Sequence, residues 1–211
     1  MSKKLKVLIA CEYSGKVRDA FISLGHDALS CDILPTEKPG PHYQGDVMDI
    51  IYRPWDVLIA HPPCTYLTNS GVSWLHKDIA RWPKLFRGAA FFKRFLDCDH
   101  ISRIAVENPI MHKYAIQLIG GTKQTQIIQP WMFGHTERKA TALWLKGLLP
   151  LRQTKNVKNQ MLKLPKSEQQ RLHYLPPSKD RAKLRSETYA GIAEAMAIQW
   201  GGDACEESDA A

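Results

Sequence analysis

Four short apolar runs that each stop at a chemically capable residue constrain this chain more than any other feature. Leu5 to Ala10 leads into Cys11-Glu12-Tyr13-Ser14-Gly15. His26 to Asp32 ends on an acid. Asp56 to Ala60 runs straight into His61-Pro62-Pro63-Cys64-Thr65, and Ile101 to Val106 into Glu107-Asn108-Pro109. Runs of this length are the size of buried strands, and helical spacing lies between them. Val17, Ala20, Phe21 and Leu24 recur at helical intervals and stop at Gly25, a residue suited to a helix C-terminus. Residues 78 to 96 carry a second, Phe- and Leu-rich helical pattern, and Thr141 to Leu145 reads as a later strand. Strands alternating with helices are βαβ units, which build a parallel sheet with right-handed crossovers. The expected class is therefore α/β, a mostly parallel sheet with helices on both faces. Ligands of such sheets gather at the carboxyl ends of the strands, where these turns fall.

The 211 residues suit one domain with its own core, expected over 1–202, followed by an acidic tail at 203–211 that reads as disordered. Lys and Arg number 29 against 21 Asp and Glu, a net charge of +8, which favours a polyanionic partner. The charge is uneven. Residues 152–185 hold ten Lys or Arg against two acids, while the tail from Asp203 holds four acids and no base. The basic stretch reads either as a solvated, loop-rich surface or as an arm for phosphates. Cysteines 11, 31, 64, 98 and 205 are odd in number and widely spaced, without a CxxC pair, as expected of reduced thiols in a cytoplasm. A metal set from His61, Cys64 and His135 is conceivable but disfavoured, and no metal is expected. No apolar stretch approaches the roughly 20 residues of a membrane helix, and the start of the chain lacks the apolar core of a signal peptide.

Each turn has a plain reading and a chemical one. A strand, a turn with glycine and a helix start is how α/β proteins approach nucleotide-like ligands, though Gly15 is a single glycine and a simple βα turn is the plain alternative. Asp32, at the end of the second strand, is placed to accept from a ribose, or merely caps a loop. Asp46, in Gly45-Asp46-Val47-Met48-Asp49, is placed to read an adenine amino group, or sits in a turn. Pro62 and Pro63 stiffen the turn that presents Cys64, whose plain fate is burial as a small apolar residue. Glu107 is a carboxylate at a neighbouring strand end, or a helix cap. A thiol and a carboxylate in one pocket suit addition to an electron-poor ring. The thiolate attacks pyrimidine C6 while the acid supports N3, and C5 becomes nucleophilic.

In this order, CEYSG, Asp32, Asp46, HPPCT and ENP resemble the cytosine-C5 DNA methyltransferase family. With HPPCTYLTNSG and IIQPWMFGH, the chain looks similar to small methyltransferase-like proteins of phages and prophages. The resemblance covers roughly residues 5–146 and 185–200. It implies a Rossmann-like methyltransferase fold and a methyl group carried from S-adenosylmethionine to cytosine C5 in duplex DNA, with the base flipped out. It implies Cys64 as nucleophile and Glu107 as the partner of cytosine N3 and its amino group. Glu12, Gly15, Asp32, Asp46 and Pro62 would line the cofactor site. The family's QxRxR strand is replaced by Glu137-Arg138-Lys139-Ala140-Thr141, so Lys139 stands in the first arginine's place, with Arg138 beside it as a substitute donor to pyrimidine O2. Thr65 replaces the glutamine that follows the nucleophile. RSETYAGIAEAMAIQW resembles the closing segment that folds back onto the cofactor. In place of a large target-recognition domain there is only the basic segment 147–184. Lys155, Lys158, Lys163, Lys166 and Arg171 are expected to contact phosphates there, with little or short-site sequence specificity.

Three other readings stay open. Amino-methyltransferases put Asp, Asn or Ser before Pro-Pro and a stacking aromatic after it, where this chain has His61 and Cys64. A pyrimidine-modifying enzyme would keep the Cys addition but act on a nucleotide or use another one-carbon donor. A non-catalytic nucleic-acid binder would need neither Cys64 nor Glu107.

Overall fold

The computed structural model describes residues 3–178 and 181–202, so the acidic tail and Cys205 lie outside the described residues. Seven strands form one sheet: β1 (Lys6–Ala10), β2 (Asp27–Asp32), β3 (His42–Gln44), β4 (Val57–Ala60), β5 (Arg103–Pro109), β6 (Gln126–Ile128) and β7 (Thr141–Lys146), in the order β3-β2-β1-β4-β5-β7-β6. β3, β2, β1, β4 and β5 pair in parallel, whereas β7 runs antiparallel to both β5 and β6. This is an α/β, Rossmann-like sheet. The expected strands are present with ends shifted by one to three residues. The short edge strands β3 and β6 carry no apolar run to announce them.

Alternation along each strand builds two cores. Leu8, Ala10, Leu58, Ala60, Ile104 and Val106 face α2 (Arg81–Leu96), where Leu85, Ala89, Phe92 and Phe95 are buried, and α3 (Lys113–Leu118). Val7, Ile9, Val57, Ile59 and Ala105 face α1 (Lys16–Ser23), with Val17 and Phe21, and the C-terminal helix. That helix follows four short ones in the basic region: α4 (Lys158–Leu162), α5 (Lys166–Gln169), α6 (Arg171–Tyr174) and α7 (Arg181–Ser186). The last, α8 (Ala190–Gly201), is buried along most of its length and packs on α1. The packing is close at its start: a Cβ on Gly191 would lie 2.0 Å from the Phe133 carbonyl oxygen. Among the described residues no helix is long and apolar enough to cross a membrane.

Strand order places the site. β1 returns through β2 on one side, while the chain crosses to β4 on the other. The crevice between the carboxyl ends of β1 and β4 is the switch point where doubly wound sheets take their ligands.

Candidate active site

Register explains how distant residues meet. Ala10 pairs with Ala60, and Ala60 with Val106. The next residue on each strand, Cys11, His61 and Glu107, therefore emerges at one level across β1, β4 and β5. His61 Nδ1 lies 2.9 Å from Glu107 Oε2. Beyond His61, the Pro62-Pro63 turn carries Cys64 to the rim of a cleft that Glu107 and Lys139 also line. Cys64, Glu107 and Lys139, far apart in sequence, thus share one cavity.

The charges in it depend on one another. Burial pushes the Cys64 thiol up, and the Glu107 carboxylate adds to this, while Lys139 and Arg185 pull it down. Burial also works against the Glu107 carboxylate. The hydrogen bond and charge of His61, with help from Lys139, outweigh it and hold Glu107 below the usual carboxylate range. Glu107 is therefore ionised at neutral pH in the free protein, although its expected work at N3 needs a proton. Lys139 is lowered by burial, against the pull of Glu107 and Cys64. Its Nζ donates to the Glu187 carbonyl at 3.0 Å.

The turn after β1 forms the other wall. Cys11 has φ +57° and Gly15 φ +70°, both in the left-handed region. A Cβ on Gly15 would lie 2.4 Å from a guanidinium nitrogen of Arg18, so only glycine fits there. Glu12 lines the cleft, but its carboxylate faces the start of α1, accepting from Val17 N at 2.7 Å and Arg18 N at 3.3 Å. Glu12 is thus a helix cap whose oxygens are engaged, not a free cofactor ligand. The helix start that would seat a phosphate is already satisfied by the chain's own carboxylate. A nucleoside without a phosphate at that point suits this turn better than a nucleotide.

Asp32 ends β2, across β1 from Cys64. It is half-buried, its Oδ1 accepts from Leu34 N at 2.9 Å, and burial raises its pKa. Asp46 is exposed and accepts from Met48 N at 2.9 Å. Both carboxylates act on Cys11, which burial chiefly raises. The acids on the β2 side and the thiol on the β4 side thus flank one turn, an arrangement that fits a nucleoside-bearing methyl donor lying across β1.

Residues 185–188 close the cleft from above. Tyr13 Oη lies 2.9 Å from Ser186 Oγ, and Lys16 Nζ 2.5 Å from Glu187 Oε2, while Lys183 pairs with Glu37. Under this strap the cleft holds about 110 Å³. Ligand pockets usually measure roughly 300 Å³ or more, so a ligand of S-adenosylmethionine's size requires the strap to shift.

Several expected residues lie elsewhere. Arg138 is exposed outside the cleft, its backbone N donating to the Gln169 carbonyl, whereas Lys139 lines the cleft. Arg171 is engaged by Glu137, at 3.1 Å, and is not a free phosphate contact. Lys158 rests over the Trp131 ring. Lys155, Lys163 and Lys166 are exposed, away from Cys64's immediate surroundings. His135 Nε2 accepts from Gly191 N at 3.0 Å, which separates it from His61 and Cys64. Among the described residues no group of three or more His, Cys, Asp or Glu is placed to hold a metal.

Sequence reasoning missed the His61–Glu107 pair and Arg18, whereas the strap at 185–188 opens the segment expected to fold back over the cofactor site. Arg18 is fully buried, and its guanidinium binds Ser30 Oγ, Thr36 Oγ1 and the Lys38 carbonyl, fastening the β2–β3 loop to α1.

No protein-family model and no curated protein matches the chain. Among solved structures, it is similar to the methyltransferase EhMeth of Entamoeba histolytica, with TM-score 0.46 and 17% identity over 73% of this chain and 58% of that one. The Dnmt2 methyltransferase of S. pombe gives TM-score 0.45 and 14% identity over 86% and 62%. A Spodoptera frugiperda DNMT2 mutant gives 0.41 and 15% over 74% and 54%. The chain spans less than two thirds of the length of each. At these scores the likeness carries no functional argument, which rests on the cleft itself.

Proposed function

We propose that the chain is an S-adenosylmethionine-dependent methyltransferase acting on cytosine C5 in DNA, by way of a bond between Cys64 Sγ and pyrimidine C6. The observation that carries this reading is the meeting of Cys64, Glu107 and Lys139 in one cleft at the switch point of the sheet. A thiol, a carboxylate and a buried cation are what addition to a pyrimidine needs, and a pure binder needs none of them together. S-adenosylmethionine, when bound, supplies an electrophilic methyl group. The Cys11–Gly15 turn, Pro62, Asp32 and Asp46 would hold it, with its nucleoside toward β2.

Cys64 acts as a thiolate, favoured by the positive charges of Lys139 and Arg185. Glu107 orients the ring through N3 and the amino group. Lys139 offers a point charge to O2, where negative charge builds. The base must leave the duplex, because its attacked face is otherwise stacked. Lys155, Lys158, Lys163 and Lys166 supply phosphate contacts, which hold DNA without reading its sequence.

Labelled methyl transfer tests this reading. Duplex oligonucleotides incubated with methyl-labelled S-adenosylmethionine should yield 5-methylcytosine on nucleoside mass spectrometry, and Cys64→Ser should yield none while keeping the fold. Label on the N4 amine would replace this reading with amino-methyl transfer. DNA binding without any label would make the chain a binder.

A further inference from the structure

We propose that His61 is the proton source behind Glu107: it delivers to that carboxylate the proton that pyrimidine N3 takes up when Cys64 adds to the ring. The proposal rests on the addition reading above and gives it a residue that the family motifs do not supply.

His61 and Glu107 are the first residues beyond the paired positions Ala60 and Val106 of two neighbouring parallel strands, so their side chains meet without any loop to position them. The two side chains are 9% and 14% exposed, and Nδ1 stands 2.9 Å from Oε2. His61 Nε2 is buried and has no hydrogen-bond partner among the described residues. A second histidine in the same molecule makes the contrast. His112 is buried still more deeply, and its Nδ1 accepts from Ala115 N at 3.1 Å while its Nε2 lies 2.9 Å from the Tyr66 carbonyl. Those two contacts lock His112 in one neutral tautomer as a structural brace. His61 has a carboxylate on one nitrogen and, among the described residues, no partner on the other, so it lacks the second contact that braces His112.

The chemistry calls for such a group. When the thiolate bonds to C6, the C5–C6 π pair moves into the ring, and N3 needs a proton to leave a neutral enamine. Glu107 is held ionised and has no proton of its own to give. Addition by this route starts from the protonation state in which the site holds an imidazolium, a carboxylate, a thiolate and a neutral cytosine. After it, the site holds a neutral imidazole, the carboxylate, a C6–S bond and an N3–H. The proton has passed from Nδ1 through the carboxylate. On reversal the C6–S bond breaks, N3 returns its proton to Glu107, and His61 is recharged. While the enamine persists, C5 can take a deuteron from heavy water and then release its original proton to solvent. The whole cycle therefore leaves cytosine unchanged except for hydrogen exchange at C5, and it needs no methyl donor.

That exchange is the test. Cofactor-free protein is incubated with a duplex oligonucleotide in heavy water near neutral pD, and deuterium at cytosine C5 is read by mass spectrometry. His61→Asn keeps an N–H facing Glu107 but has no acidic proton, and His61→Ala loses both. Each should lower the exchange rate at saturating oligonucleotide by about 100-fold or more, the usual scale of a lost general acid, with the oligonucleotide KM unchanged. Glu107→Gln should cost as much, and His61→Asn combined with it little more, because the two act in series. Circular dichroism and Tm verify the folds, and His61→Asn decides the matter if His61→Ala does not fold. An Asn variant that exchanges at the wild-type rate overturns the proposal, since His61 then only orients Glu107. A wild-type protein that exchanges no C5 hydrogen overturns the addition reading itself, and the role of His61 with it.

Discussion

The strand-end cleft and the basic region of residues 152–185 hold their polar residues in opposite ways. In the cleft, His61, Cys64, Glu107 and Lys139 come from three separate stretches of chain and share one cavity. In the basic region, the described cationic residues are close in sequence yet dispersed in space. Lys158 lies over Trp131, Arg171 on Glu137 and Lys183 by Glu37, while Lys163 and Lys166 face solvent. Strand register turns sequence position into spatial position, because parallel neighbours must end at matched levels. Charge density has no such rule. A residue just past a buried strand therefore says where it will be, and a lysine in a charged run says only that it can be solvated.

The contrast breaks first at Lys139. Lys139→Met removes the cation from the cleft and the anchor on the Glu187 carbonyl. It should lower single-turnover methyl transfer by about 10²–10³-fold, the scale of one lost donor to a developing anion. An unchanged rate would leave Lys139 as a strap anchor only. Asp32→Ala comes next, with S-adenosylmethionine affinity weakened by about 1.5–3 kcal/mol, as for a hydrogen bond to a charged group. Calorimetry showing unaltered binding would remove Asp32 from the site.

A smaller effect concerns the thiol. Burial and Glu107 hold Cys64 above the ordinary thiol range, so its thiolate is the minor form at neutral pH. Because the thiolate is the reactive species, alkylation by iodoacetamide should accelerate with rising pH beyond the range of an unperturbed cysteine. In Lys139→Met the curve should move to still higher pH. A curve matching that of a free thiol would contradict the burial argument. The smallest effect is expected in the basic region. Neutralising Lys155, Lys158, Lys163 and Lys166 should flatten the salt dependence of DNA binding by up to about 0.9 log unit per lost phosphate contact, with cofactor affinity unchanged. A constant slope would mean that DNA lies elsewhere and that this region is solvated surface.

Much of the sheet was legible because β1, β4 and β5 carry buried apolar runs with turns behind them, while β2 is a mixed stretch that ends on an acid. β3 and β6 were not, since His42–Gln44 and Gln126–Ile128 are edge strands of three residues, defined by their neighbours rather than by a pattern. Cys64 and Glu107 were visible because each follows an apolar run within a few residues, and Lys139 through the resemblance. The bond between His61 and Glu107 was not, because it depends on β4 pairing with β5. The available signal was that both residues follow directly on an apolar run. Glu12 misled for a local reason: a carboxylate five residues before Val17 can fold back to cap the helix, and it does. Nothing in the sequence marked out Arg18. It is buried because the loop at 36–39 folds over it, a long-range contact with no mark in the sequence.

The bond between Cys64 and the base is the center of the account, and 5-fluorocytosine tests it most directly. With fluorine at C5, the proton that must leave in the last step is missing, so the adduct cannot resolve once the methyl group has arrived. Wild-type protein with S-adenosylmethionine and a duplex carrying 5-fluorocytosine should give a protein–DNA species that survives denaturing electrophoresis and maps to Cys64 by peptide mass spectrometry. Cys64→Ser should give none. An adduct that persists in Cys64→Ser, or methylation without any adduct in the wild type, would contradict the assignment of Cys64 as the nucleophile.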